Sequence, residues 1–530
     1  MRFQAPLIQT VGTEHTPVSL ARRLGRTHGL LLFTSPAVHH SGRGGFHPGP
    51  DHTVARCDHP PVRRSVGPLV WPSDPAISLL VARPFLRFRS WGTRCEIVES
   101  GRRTVSGGNP WERLNELWTR YAQLESLDVS FPLGGCFGVW GYDLKNFVEP
   151  RLTRRALPDL GLPDCDLGFY DSLIVFDHSV GEVRIVSTGL ESDGSRSAGR
   201  ARQQAAEWHR LLRTPVGQPP MFPRGPSRSA PAGGRLVSTF SRAAYLAAVG
   251  RAQSYIRSGD IYQVNLAQRL SAAAPADPWG FCEQLWQVSP APFSIWYDAG
   301  DYQIASVSPE LFLRFDGRCV VTRPIKGTRR RDPDPALDLR LSEELRSSPK
   351  EQAELLMITD LMRNDLGRVC EYGSVTVPEL MRLEPFAQVQ HLVATVQGRL
   401  RSDVAHPQAL AACFPGGSVT GAPKLRAMDI IDELEPVGRG PYTGALGYLG
   451  FNQQSQLSMV IRSAILCQDR VHFPVGAGIV ADSDPAAEYD ETLVKARAFL
   501  LLLEELEGGS SGAAGARAAS RVQVISPQTP

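Results

Sequence analysis

SRAAYLAAVGRAQSYIRSGDIYQVNLAQRL, Ser241 to Leu270, sets two periods side by side. In its first half Tyr245, Val249, Ala252 and Ile256 recur at helical spacing, Ser241 stands where a side-chain oxygen caps the first free N–H groups, and Gly259 supplies the stop. In its second half Val264 and Leu266 alternate with Gln263 and Asn265, the period of a strand. Both amides then project from one face of a sheet and form a candidate site wall. Outward from here, YQIASVS (302–308) and RCVVTRPI (318–325) predict further strands, while AELLMITDLM and LRAMDIIDELE predict helices. This alternation predicts a mixed α/β or α+β fold.

The 530 residues (58.0 kDa) suit three or four domains or one large composite. PVGQPPMFPRGPSRSAPAGGR, Pro215 to Arg235, is dense in Pro and Gly, which predicts a linker or long loop between an N-terminal region (1–214) and a second region (236–507). The Gly-, Ser- and Ala-rich stretch 508–530 predicts a disordered tail. With 42% hydrophobic and 21% charged residues the chain is globular in composition. Its 57 Lys and Arg against 54 Asp and Glu leave a net charge of +3, without the basic field of a nucleic-acid binder. No apolar run nears the roughly 18 residues of a membrane span, and no signal core opens the chain, so neither nucleic acid nor membrane is expected as partner and a cytoplasmic location is. Nine cysteines without a C-x-x-C spacing predict buried thiols rather than a zinc knuckle or a disulfide framework. Seven of the twelve histidines lie between His15 and His59 in a Gly- and Pro-rich stretch and are read as incidental to a loop.

Four signals in the second half bear on chemistry. Glu351 and Glu354 in KEQAELLMITDLMRNDLGRV, and Glu488 and Glu491 in GIVADSDPAAEYDETLVKA, are two pairs at i, i+3. Asp484 as cap and Pro485 as first helical residue start a helix that puts Glu488, Glu491 and Lys495 on one side. Carboxylates meeting from two helices suit a hard cation such as Mg²⁺, although the same spacing also makes a solvated helix face. PIKGT (324–328) places Lys326 at the end of an apolar strand, either as a snorkelling surface cation or as a desolvated amine able to act as nucleophile. Glu310, in SPE, is a candidate general acid if its surroundings are dry, and otherwise a turn carboxylate. FPGGSVTGAPKLRAMDIIDELEP (414–436) lacks the G-x-x-x-x-G-K-[ST] of a phosphate loop, because Ala422 and Pro423 separate Gly421 from Lys424. It still opens a helix whose N–H groups suit a carboxylate. GGCFG (134–138) mimics a nucleophile elbow, but FGVWGYD continues as a strand with no helix after the cysteine, so that reading fails.

PIKGT, LMITDLMRNDLGRV, VQHLVATVQGRL, FPGGSVTGAPKLRAMDIIDELEP and GIVADSDPAAEYDETLVKA, in this order, resemble the chorismate-utilising enzymes, the family of anthranilate synthase component I and the isochorismate synthases. GGCFGVWGYD and LPDCDLGFYDSLIVFDH resemble that family's N-terminal region, so the likeness covers most of the chain. It implies an α+β body of two packed antiparallel sheets flanked by helices, with strands from both parts of the chain. It also implies that Gln263, where the water-adding members carry a lysine base, goes with ammonia as nucleophile, and that PIKGT in place of PIAGT goes with amination at C4, as in the aminodeoxychorismate synthases. On this resemblance Lys326 attacks C2 of chorismate while Glu310 protonates the departing C4 hydroxyl. Glu354 and Glu491 hold Mg²⁺, with Glu351 and Glu488 behind them. Arg462 and Tyr442 grip the enolpyruvyl carboxylate with help from Gly478 and Lys495. Gly327, Thr328 and Ser418 line the ring or amine path, and His391 hydrogen-bonds near the ring. LLFTS (31–35) departs from the L-L-E-S-like element of tryptophan-binding members, which puts tryptophan binding in doubt. With no Cys-His-Glu glutaminase and no spare block of about 190 residues to house one, ammonia is expected from a separate glutamine amidotransferase subunit in a heterodimer.

Overall fold

Ser241 caps its helix as the sequence predicts, accepting from the Ala244 N–H, and the helix runs Arg242–Arg257 with Tyr245, Val249 and Ala252 buried. Gly259 follows its end at φ +80°, a left-handed conformation that glycine adopts without strain. The strand Gln263–Ala273 comes next, and it is the scaffold of the site. The structure, a computed structural model, describes residues 6–25, 27, 29–35, 76–122, 129–216, 236–386, 389–506 and 523–524. The His-rich stretch after residue 35 and nearly all of the 215–235 linker lie outside the described residues. So does most of the 508–530 tail, within which Gln523–Val524 pairs in parallel with Val237–Ser238.

Among the described residues the strands form one 13-stranded and one 12-stranded sheet, and every pairing but that last one is antiparallel. Both sheets draw on both halves of the chain. In the first, Leu30–Thr34 pairs with Phe293–Asp298, and the ladder continues through Gln303–Ser308, Ser463–Cys467 and Arg470–Ile479 to Gln263–Ala273. In the second, Gly135–Trp140 pairs with Ala445–Gly450, which leads through Gln454–Met459, Leu311–Asp316 and Cys319–Arg323 to Val389–Arg399 and Ile325–Arg330.

Alternation along the strand Leu30–Thr34 explains the layers. Leu31 and Phe33 enter the core between the sheets, where Phe33 meets Phe137 and Tyr448 edge-on. Leu30 and Leu32 face the other way, into a layer with Leu20, Trp208, Leu285 and Phe499 from covering helices. A strand buried on both faces reads as an unbroken apolar run, which LLLF is. A third cluster packs Val264 and Leu266 against the helices Arg242–Arg257, Lys424–Leu434 and Pro485–Lys495. Cys136 is fully buried inside the strand Gly135–Trp140, which agrees with the failed elbow reading. No helix among the described residues is long and apolar enough to cross a membrane.

Candidate active site

Lys326 sits inside a strand rather than at the end of one. Ile325–Arg330 continues past it because the segment pairs with Val389–Arg399, and a bulge at Gly327 shifts the register so that Lys326 opposes Leu392 and Thr328 opposes His391. Gly327 has φ +71°, and a Cβ there would lie 2.7 Å from Leu345 Cδ1 and 3.0 Å from Glu351 Oε2, so the bulge demands glycine on two counts. The Lys326 side chain is only 16% exposed, with Nζ 3.8 Å from Glu354 Oε2.

Glu310 leads into the strand Leu311–Asp316 and is buried, with Oε1 accepting from Ser418 Oγ at 2.5 Å. Burial pushes its carboxyl up to about 7, against the opposing pull of the Ser418 hydroxyl and the Lys326 charge. A carboxyl in that range holds its proton near neutrality and still releases it, which is what a general acid requires. Ser418 comes from the turn Gly417–Val419, inside the Gly-rich segment that the sequence set apart from phosphate loops.

Gln263 reaches the same place from the first sheet. A Cβ on Gly478 would stand 2.3 Å from Gln263 Nε2 and 3.8 Å from Lys326 Nζ, so the missing side chain at Gly478 is the room in which these two groups converge. Gln263 is 2% exposed, and its Oε1 has no hydrogen-bond partner among the described residues. A buried acceptor in that condition suits an incoming N–H donor.

Four further candidate groups follow. His391 Nδ1 lies 2.9 Å from Thr328 Oγ1, and burial, aided by the neighbouring Arg462 charge, pushes the ring down to about 4. It is neutral at physiological pH. Burial also lowers Arg462 below its usual value, and among the described residues no carboxylate pairs with it. A desolvated guanidinium without an acid suits an anionic partner. Tyr442 is buried with its hydroxyl at Asn265, and Lys495 Nζ donates to the Gly476 carbonyl at 2.9 Å.

The glutamates approach from the helices Pro349–Gly367 and Pro485–Lys495. Burial raises Glu354, with Lys326 and Lys350 opposing and Glu351 and Glu491 adding to the rise. Glu491 is also penalised by burial, but Lys495, at 2.7 Å, with Lys350 and Lys326 holds it below its ordinary value. Glu488 accepts from Ser483 Oγ at 2.6 Å, and Glu351 has Arg329 at 3.6 Å, so each of these two has a protein partner. Among the described residues no three His, Cys, Asp or Glu converge tightly enough to cage an ion. Glu354 and Glu491 are hard-oxygen donors in electrostatic contact, a set that fits Mg²⁺ completing its shell with water and substrate oxygens.

This geometry can be set beside known proteins. The model of the chorismate binding enzyme family matches residues 76–501. The chain belongs to that family. Anthranilate synthase component 1 of Thermus thermophilus is 42% identical over 416 residues, 78% of this chain and 87% of the relative. Aminodeoxychorismate synthase component 1 of Escherichia coli is 38% identical over 428 residues, 81% and 90% respectively. The crystal structure of anthranilate synthase component I from Streptococcus pneumoniae superposes with a TM-score of 0.67 at 30% identity, covering 87% of this chain and all of that one. The family assignment makes chorismate the frame in which the pocket is read, while relatives of two activities stand at similar distance.

Sequence reasoning missed Arg439 and Glu435, whose buried pair lies behind Tyr442. Their i, i+4 spacing across Pro436 was the available signal. It also left Asn265 as a wall residue only, and the structure makes it the partner of Tyr442.

Proposed function

We propose that this chain is the chorismate-aminating component I of an aminodeoxychorismate synthase. The observation that carries the reading is the buried Glu310, tuned to about 7 beside Lys326 and steadied by Ser418. In this reading the Lys326 amine forms a bond to C2 of chorismate, the two ring double bonds shift, and the C4–O bond breaks as Glu310 supplies the proton that makes the leaving group water. Ammonia then bonds to C4 with Gln263 accepting one of its N–H groups, the double bonds shift back, and the Lys326 bond to C2 breaks. The sum is chorismate plus ammonia giving 4-amino-4-deoxychorismate plus water, with the enolpyruvyl ether intact. Arg462 neutralises a substrate carboxylate and Tyr442 with Lys495 borders the other end. Glu354 and Glu491 would hold Mg²⁺, which would supply Lewis-acid charge toward the ring carboxylate.

The component 1 names of the relatives support a separate glutamine amidotransferase subunit as the source of ammonia. A cytoplasmic site of action and supply of a 4-aminobenzoate precursor belong to the same proposal. Anthranilate synthase component I is the second reading, favoured by the 42% identity to the Thermus thermophilus protein. The lysine in PIKGT weighs against it. A pyruvate assay run beside a Mg²⁺ titration separates the two from an inert chorismate-binding subunit: the proposal expects Mg²⁺-dependent chorismate loss without pyruvate, and pyruvate release overturns it.

A further inference from the structure

Behind Tyr442 lies an ion pair tied to three segments that carry site residues. Glu435 ends the helix Lys424–Leu434, and Arg439 follows one turn later, both buried. Arg439 Nε donates to Glu435 Oε2 at 2.9 Å and Nη2 to Oε1 at 2.6 Å, a two-pronged pairing that only a guanidinium makes. Its remaining contacts bind other parts of the chain. Nη1 donates to the Val419 carbonyl at 3.0 Å and to Thr443 Oγ1 at 3.2 Å, and Nη2 donates to the Asn265 carbonyl at 2.7 Å. Glu435 Oε1 accepts the Ala267 N–H at 2.9 Å. Asn265 closes the node, with its N–H on the Thr420 carbonyl at 2.8 Å and Nδ2 on the Val419 carbonyl at 3.0 Å.

Three segments therefore meet at one guanidinium. The strand Gln263–Ala273 carries Gln263, the turn Gly417–Val419 carries Ser418, and the loop after Arg439 carries Tyr442. The Arg439 guanidinium also lies 4.8 Å from the ring centre of Tyr142 and 5.8 Å from that of Tyr442, which locks a tyrosine from the N-terminal half into the same node. A buried ion pair is a poor device for stability alone, since apolar side chains of like volume commonly serve as well. What apolar side chains cannot supply is the set of directions in which five donors point.

We propose that Arg439 is a positioning residue for the chorismate reaction: through Val419 it holds Ser418 against Glu310, and through Asn265 and Thr443 it holds the pocket end formed by Tyr442. The inference rests on the functional reading above. Ser418 donates to Oε1 of Glu310, which leaves Oε2 to carry the transferable proton. Release of the turn would leave that proton unplaced and would remove a hydrogen bond that favours the carboxylate form, moving the Glu310 titration upward.

The test compares Arg439→Lys, Asn265→Ala and Ser418→Ala with the parent chain, each shown folded by circular dichroism, in steady-state kinetics with chorismate, Mg²⁺ and ammonium across pH. Arg439→Lys is expected to lower kcat roughly tenfold, raise the chorismate KM several-fold and move the pH limb of kcat upward by about half a unit or more. Asn265→Ala should reproduce the limb shift, and Ser418→Ala should show it with KM little changed. Magnesium affinity measured calorimetrically should stay the same in all three. A folded Arg439→Lys with a lower melting temperature but parental kcat, KM and pH limb would overturn the inference. If Arg439→Lys does not fold, Arg439→Gln decides: an unshifted limb there, while Ser418→Ala shifts, is equally fatal. Absence of chorismate turnover by the parent chain would defeat the functional reading and this inference together, whereas the other failures leave that reading standing.

Discussion

Replacing Glu310 by glutamine tests the acid and the cost of keeping it. The carboxyl is raised from 4.5 to about 7 by burial. At pH 7.5 about a quarter of such groups are protonated, against about one in a thousand at the ordinary value, so burial enlarges the acid form by roughly two hundredfold. The same shift is a stability term. The native state holds a proton between pH 4.5 and about 7 that the unfolded chain has released, so this contribution is complete below pH 4.5 and is lost as pH rises through 7. By pH 8 the buried carboxylate costs about 3 kcal/mol relative to acid conditions. Glutamine fills the same space without the charge. Glu310→Gln should lose about 10²- to 10⁴-fold in chorismate turnover. In urea denaturation it should be more stable than the parent by up to about 3 kcal/mol at pH 8, with the advantage fading toward pH 5. In the parent chain, kcat should fall above pH 7 even as free ammonia increases. Parental turnover in Glu310→Gln, or a stability difference that does not change with pH, would rule out Glu310 as the buried acid.

Lys326→Ala should abolish C4 amination while chorismate binding by calorimetry and the melting temperature are largely kept, and undiminished turnover would remove the nucleophile assignment. Glu491→Gln should weaken Mg²⁺ binding and activity together, and an unchanged calorimetric titration would reduce the paired glutamates to a helix face. Gly478→Ala would put a Cβ 2.3 Å from Gln263 Nε2 and so push that amide off its position. The apparent KM for ammonium should then rise more than that for chorismate, and equal effects on both would argue against Gln263 as the ammonia contact.

The helix at Ser241 and the strand at Gln263 were legible because cap, period and stop agree within thirty residues and the structure uses all three. Lys326 was legible as a candidate but not its setting. The bulge at Gly327 exists because a distant strand, Val389–Arg399, offers pairing partners, and nothing in PIKGT announces that ladder. Glu354 and Glu491 could be placed on helix faces from spacing, whereas where those helices sit depends on separate packing, Leu355, Ile358 and Met362 seating the first and Tyr489 the second. His391 carried no local signal, and only the family resemblance marked it. Its neutrality follows from burial and from Arg462, a neighbour 71 residues further along the chain. The Arg439 node was hidden for the same reason: its meaning lies in carbonyls at 265 and 419 that a linear reading does not bring together.

The central claim is amination of chorismate at C4, and product identity tests it most directly. The purified chain is incubated with chorismate, Mg²⁺ and ammonium at alkaline pH, and the product is analysed by mass spectrometry with pyruvate measured in parallel. C4 amination predicts a product bearing nitrogen in place of the C4 hydroxyl, with the enolpyruvyl group retained and no pyruvate released. Anthranilate with stoichiometric pyruvate would contradict it.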